Sequence, residues 1–129
     1  MGRYGEKLAA HWLYTRGCKV IYRNYRGPRG GEVDVICRHD KVLAFVEVKT
    51  RTSTAFGRPA AAVTLDKQEL IMRGAAAWLR MLPGSRDIPW RLDVVEVLLI
   101  PGEKPALNWI QSAFNTTAVK HELARLRSR

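Results

Sequence analysis

The chain has 129 residues, and 22 Lys and Arg against 12 Asp and Glu give a formal net charge of +10. That length fits one domain, and 47% hydrophobic with 26% charged residues excludes a disordered or collagen-like chain. No apolar run reaches the ~18 to 20 residues of a membrane span, and Glu6 stands where a signal peptide would be apolar.

Leu8, Trp12, Ala9 and Leu13 form a helical stripe within residues 3–16, and Gly17 sits where a left-handed cap would end the helix. The β-branched and aromatic run CKVIYRNYR predicts a first strand over 19–25, closed by the breaker-rich GPRGG at 27–31. EVDVIC at 32–37 and VLAFVEVK at 42–49 predict two strands joined by a hairpin turn at RHDK. A long irregular loop follows, in which Arg51 and Arg58 either grip phosphates or are simply solvated.

From Leu65 to Leu82, Leu70, Ile71, Ala75, Trp78, Leu79 and Leu82 recur at helical spacing. Thr64 serves as N-cap, Asp66 favours the positive helix start, and Pro83-Gly84 ends the run. RLDVVEVLLI at 91–100 reads as a buried strand stopped by Pro101-Gly102, and a short last strand is expected over 108–113. The order α, β, β, β, α, β, β predicts an α/β domain, a sheet with helices packed on it.

The charge is unevenly placed. Residues 1–31 carry Arg3, Lys7, Arg16, Lys19, Arg23, Arg26 and Arg29 against Glu6 alone, and the tail VKHELARLRSR is basic again. Such clusters suit a polyanion, foremost nucleic acid, because each cation near a phosphate releases condensed counterions. A solubilising surface is the equal alternative. An anionic membrane is a weaker one, since the tail offers only Val119, Leu123 and Leu126 as an apolar face. Cys18 and Cys37 form no CxxC or Cys/His cluster and read as reduced core residues of a cytoplasmic protein. His11, His39 and His121 are scattered over a helix, a turn and the tail, so no histidine metal site is visible. Trp12, Trp78, Trp90 and Trp109 read as packing residues, and Asp93 beside Arg91 on a buried strand as half of a structural ion pair.

The chemistry lies in residues 30–51, where Glu32, Asp34, Glu47 and Lys49 interrupt apolar strands. Residues two apart on a strand share a face, so Glu32 projects with Asp34 and Glu47 with Lys49. A turn centred on His39-Asp40 would set Glu32 opposite Glu47 and Asp34 opposite Phe45. All four polar groups would then share one face, with Asp34 diagonal to Glu47 at ~7 to 8 Å between backbones. Three carboxylates with one ammonium repel and lose hydration by themselves, and a divalent cation reverses that sign. Asp34 and Glu47 are therefore expected to hold Mg²⁺ or Mn²⁺, with Lys49 beside the metal orienting the attacking water or stabilising charge on a scissile phosphate. The plain alternative is an amphipathic hairpin whose Glu47 and Lys49 form a surface ion pair.

Asp34 followed by Glu47-Val48-Lys49 on a hairpin resembles the PD-(D/E)xK nuclease superfamily. More closely, the chain is similar to the YraN, or UPF0102, family of small bacterial endonuclease-like proteins. The shared features are Gly5, Glu6, Ala9 and Leu13 of the leading helix, the NYR segment running to G-E-V-D at Asp34, FVEVKTR at 45–51, and R-x-D-V-V at 91–95. The proline of a literal P-D is absent, Val33 standing before Asp34.

The resemblance implies a restriction-endonuclease-like fold close to archaeal Holliday junction resolvases, a nuclease-like domain over 1–115 and a basic C-terminal tail over 116–129. It implies Asp34, Glu47 and the Val48 carbonyl as metal ligands joined by Glu6, Lys49 as the catalytic lysine, and Gln68 as a polar residue bordering the site. Glu6 reads equally as a glutamate favoured by the helix dipole. The implied activity is hydrolysis of DNA phosphodiesters, in branched or structured DNA and with a homodimer by analogy with the resolvases. The rivals are a DNA-binding module with little or no turnover, accessory to repair or recombination, and a structural interaction protein.

Overall fold

The computed structural model describes residues 2–52, 63–83 and 88–127. Arg58, most of the 50–62 loop and Gly84 lie outside the described residues. The elements are α1 (Gly2–Thr15), β1 (Cys18–Arg26), β2 (Glu32–His39), β3 (Val42–Arg51), α2 (Leu65–Met81), β4 (Trp90–Leu98), β5 (Ala106–Ile110) and α3 (Thr117–Arg127). The strands form one mixed five-stranded sheet in chain order, antiparallel except where β4 runs parallel to β3. A parallel neighbour needs a crossover, and α2 lies within it.

Each face of the sheet buries its own core. Ala9, Ala10 and Leu13 of α1 pack on Val35, Cys37, Ala44, Val46, Val95 and Val97. On the other face Ile71, Ala75 and Leu79 of α2 cover Ile36, Phe45, Leu92 and Val94. Cys18 and Cys37 are buried and free. Trp12 packs on Trp109, Trp90 on Phe45, and Trp78 on Tyr22 and Tyr25, so all four tryptophans pack as expected. Asp93 is fully buried and accepts from Arg91 Nε, Trp109 Nε1 at 2.9 Å and the Ser112 N–H at 3.0 Å, a structural network as expected.

Two tight approaches fix the helices. A Cβ on Gly5 would stand 2.0 Å from Thr50 Oγ1, so only glycine lets the start of α1 reach β3. A Cβ on Gly31 would stand 2.3 Å from the Gly74 nitrogen, and one on Gly74 2.9 Å from Val33 Cγ2. That contact sets α2 against the start of β2. Thr64 caps α2, its hydroxyl accepting from the Lys67 N–H at 3.2 Å.

Three expectations change. The hairpin turns at Asp40-Lys41, with Asp40 in the left-handed region at φ 56, and His39 pairs with Val42. The predicted register is therefore displaced by two residues: Ile36, not Asp34, faces Phe45, and Glu32 does not face Glu47. Because the displacement is even, the paired residues from Val35 to His39 keep the faces that the alternation assigns them. The last strand ends at Ile110 instead of 113, where Ser112 turns at φ 51 with its N–H held by Asp93. The basic tail includes α3, whose Val119 is only 2% exposed in the α2 core; the side chains of Leu123 and Leu126 lie outside the described residues. Among the described residues, no helix is long and apolar enough to cross a membrane.

Candidate active site

The β2–β3 ladder runs from the turn as far as Val35 opposite Val46. Extended by one pair, that register sets Asp34 directly across from Glu47. Here the strand changes course: Val33 and Val35, which strict alternation would place on one face, belong to opposite cores. At this bend Asp34 bonds to the neighbouring backbone, its Oδ2 accepting from the Val48 N–H at 2.8 Å. The acid is thereby held beside Glu47.

Glu47 is 4% exposed, and its Oε1 has no hydrogen-bond partner. Burial, then the adjacent Asp34 carboxylate, pushes its pKa up to about 9, so the group keeps its proton at neutral pH. From α1, Glu6 faces the same charge. Burial and the Asp34 carboxylate raise its pKa against the opposing pull of Arg23, Lys67 and Arg26, and its Oε1 is likewise buried without a partner. Two orphaned acidic oxygens near one carboxylate would be satisfied by a cation.

The amine closest to this cluster is one the sequence reading missed. Lys67, on the first turns of α2, places Nζ 2.6 Å from Glu32 Oε1 and 3.7 Å from Glu47 Oε2. Burial disfavours its charge, but Glu32, Glu47 and Asp34 outweigh that and raise its pKa. Glu32 is also held by Arg26 at 2.5 Å, and the Lys67 bond keeps its pKa below the usual range despite burial. Glu32 is thus balanced by two cations, whereas Glu47 and Glu6 each keep one buried oxygen without a hydrogen-bond partner. No local pattern marks Lys67, since its place follows from the Gly31–Gly74 contact far along the chain.

Lys49 lies two residues beyond Glu47 on the same face, its Cα paired with Glu96 of β4. Among the described residues no ion pair ties its amine to Asp34 or Glu47; the neighbouring Arg51 pairs with Glu96 at 3.0 Å. Gln68 Nε2 donates to the Val63 carbonyl at 3.1 Å, bracing the entry to α2. Asp34, Glu47 and Val48 are therefore brought together with Lys67, Glu6 is near enough to feel the Asp34 charge, Lys49 stands at the edge, and Gln68 acts as a strut.

The sequence profile described as "Uncharacterised protein family UPF0102" matches residues 5–97. The chain belongs to the UPF0102 family. It is 44% identical over 117 residues to a UPF0102 protein of Nocardia farcinica, covering 88% of each chain. It is 42% identical over 114 residues to one of Geobacter sulfurreducens, again covering 88% of each. A UPF0102 protein of Streptomyces coelicolor is 48% identical over 99 residues, covering 77% of this chain and 76% of its own. The UPF0102 match includes Glu6, Glu32, Asp34, Glu47, Lys49, Lys67 and Gln68, whereas α3 lies beyond it.

The donor set can be tested against a divalent cation. Among the described residues no group of three His, Cys, Asp or Glu side chains forms a ligand set by itself. Asp34 and Glu47 are a pair, with Glu6 close enough to feel the Asp34 charge. Two carboxylates and a backbone carbonyl fit Mg²⁺, which keeps several waters and takes substrate phosphate oxygens as ligands.

Proposed function

We propose that this chain is a divalent-metal-dependent nuclease with a restriction-endonuclease-like fold of the PD-(D/E)xK type, cutting phosphodiester bonds of DNA. The observation that carries the reading is Glu47: buried, with an unpartnered oxygen beside Asp34, in a protein of net charge +10. Burial and the Asp34 carboxylate favour the protonated form of Glu47 in the metal-free protein, and a divalent cation would displace that proton.

In this reading Asp34, Glu47 and the Val48 carbonyl hold Mg²⁺ or Mn²⁺, with Glu6 beside them. The ion neutralises charge at the phosphate and acidifies water. The protein's own groups do the rest. The Val48 N–H fixes the Asp34 carboxylate. Lys67 holds Glu32 and keeps a third negative charge from the pair. Lys49 supplies an ammonium to an oxygen of the reacting phosphate, where it stabilises developing charge. Branched DNA suits a site whose surroundings are basic on several elements, and a two-fold dimer would present two such sites to two strands.

A second reading, DNA binding with little or no turnover, draws on Lys67, whose amine already balances part of the carboxylate charge at 3.7 Å from Glu47. Incubating fluorescent branched and linear DNA with Mg²⁺ or Mn²⁺ separates the two. Cutting by the wild type, lost in Asp34→Ala and Lys49→Ala, supports the nuclease. DNA binding without cutting supports the second reading.

A further inference from the structure

A groove of about 450 Å³ does not coincide with the carboxylates but begins beside them. It is bounded by the turn between β1 and β2, by α2 and by α3, and Gly31 on its wall immediately precedes Glu32. Its volume lies within the ~300 to 1,000 Å³ range of ligand clefts.

The chemistry of the groove is two-sided. Met72, Ala76, Ala77 and Val119 line it with apolar surface, while Arg29, Arg73 and Arg80 line it with charge. Glu69 is the one carboxylate of the lining and is held by Arg73 at 2.6 Å, so the lining keeps a positive excess. Glu69, Met72, Arg73, Ala76 and Arg80 are spaced as one stripe of α2, which extends ~16 Å along the helix. Near the wall, the Tyr25 ring approaches the Cβ position of Gly27, and Tyr22, 49% exposed, packs edge-on against Tyr25.

We infer that this groove receives an unpaired DNA strand, so that the substrate carries a single-stranded arm leading to the Asp34–Glu47 site. The inference rests on the nuclease reading for the role of that site, but strand binding stands on the groove itself. A duplex offers a protein surface its phosphates and hides its base faces, and such a partner has no use for an apolar lining. An unpaired strand offers both: its bases cover Met72, Ala76, Ala77 and the exposed Tyr22 ring, and its phosphates meet the arginines. Guanidinium groups suit this doubly, since they pair with phosphate and stack on bases.

The test uses the full chain in EDTA, where cleavage plays no part. Fluorescence anisotropy measures binding of labelled oligodeoxythymidine and of a duplex of equal length, and a photoreactive 5-iododeoxyuridine marks what the base touches. The expected result is preference for the single strand, a loss of about tenfold in Arg29→Glu/Arg80→Glu, a smaller loss in Tyr22→Ala, and cross-links within 22–31 or α2. The same charge change at Lys41 and Lys104, on turns outside the groove, should cost less. Equal binding of single and double strands, equal losses in the two charge-reversed pairs, or cross-links only outside the groove overturns the inference. Cross-linking in the groove by a protein that cuts no DNA would retain the strand site and reject the nuclease reading.

Discussion

The N–H of Val48 donates to the carboxylate of Asp34 at 2.8 Å, so the peptide that follows Glu47 holds the acid that faces it. The bond costs the hairpin little, because β2 bends away at this point and the N–H needs another acceptor. It also sets two carboxyl groups side by side, one of them buried.

Replacing Asp34 by Asn keeps an acceptor for the Val48 N–H and removes the charge beside Glu47. The fold should survive, and the Glu47 carboxyl should titrate lower than in the wild type, though burial still keeps it above the ordinary range. Carboxyl-carbon NMR titration of both proteins checks this.

Glu47 gives metal-free stability a definite pH dependence. Below the ordinary glutamate value of 4.5 the group is protonated in the folded and unfolded chains alike. As pH climbs from there toward about 9, the unfolded chain releases the proton and the folded chain keeps it, so stability falls across that window. Glu32, with its lowered pKa, works the other way, and its contribution disappears as the medium is acidified. In EDTA, Glu47→Gln should unfold at a higher temperature than the wild type near pH 8 and at nearly the same temperature near pH 4. Calorimetry at the two pH values reads the difference.

The two lysines should separate in stability. Lys67→Met breaks the contacts to Glu32 and Glu47 and leaves partly buried Glu32 with Arg26 alone, a loss of about 1 kcal/mol. Lys49→Met removes no ion pair to these acids and should stay within about 0.5 kcal/mol. Urea unfolding gives both values, and the Lys49 variant should retain its fold while losing any cleavage.

Gly5→Ala forces a methyl group into Thr50 Oγ1 and must push the start of α1, with Glu6, away from β3. A destabilisation of roughly 1 to 3 kcal/mol is expected, as for overpacking elsewhere. Adding Thr50→Ala removes that oxygen and leaves Cβ of residue 50 at 3.2 Å, so the double variant should recover part of the loss.

Much of this architecture is legible in the sequence, and the gaps have physical causes. Thr64 and the apolar spacing from Leu65 onward mark α2 because capping and periodicity are local signals. The two-residue error in the turn leaves the faces of the paired stretch unchanged because an even shift preserves parity, and Asp34 reaches Glu47 through its bond to the Val48 N–H. RHDK carries no Asn-Gly or Asp-Gly signal to place that turn, and Asp40 takes the left-handed conformation instead. The bend at Asp34 and the arrival of Lys67 are long-range consequences of helix packing and leave no mark in the neighbouring residues. α3 is hidden because its segment is short and its basic residues read as a solvated tail, and its anchor in the described core is the single side chain of Val119.

The most direct test is a crystal of the wild-type protein soaked in Mn²⁺, with anomalous scattering recorded at the manganese edge. A peak between Asp34 and Glu47, lost in Asp34→Ala, is the predicted result. Manganese bound only elsewhere, with the Glu47 oxygen still unligated beside Lys67, would contradict the account.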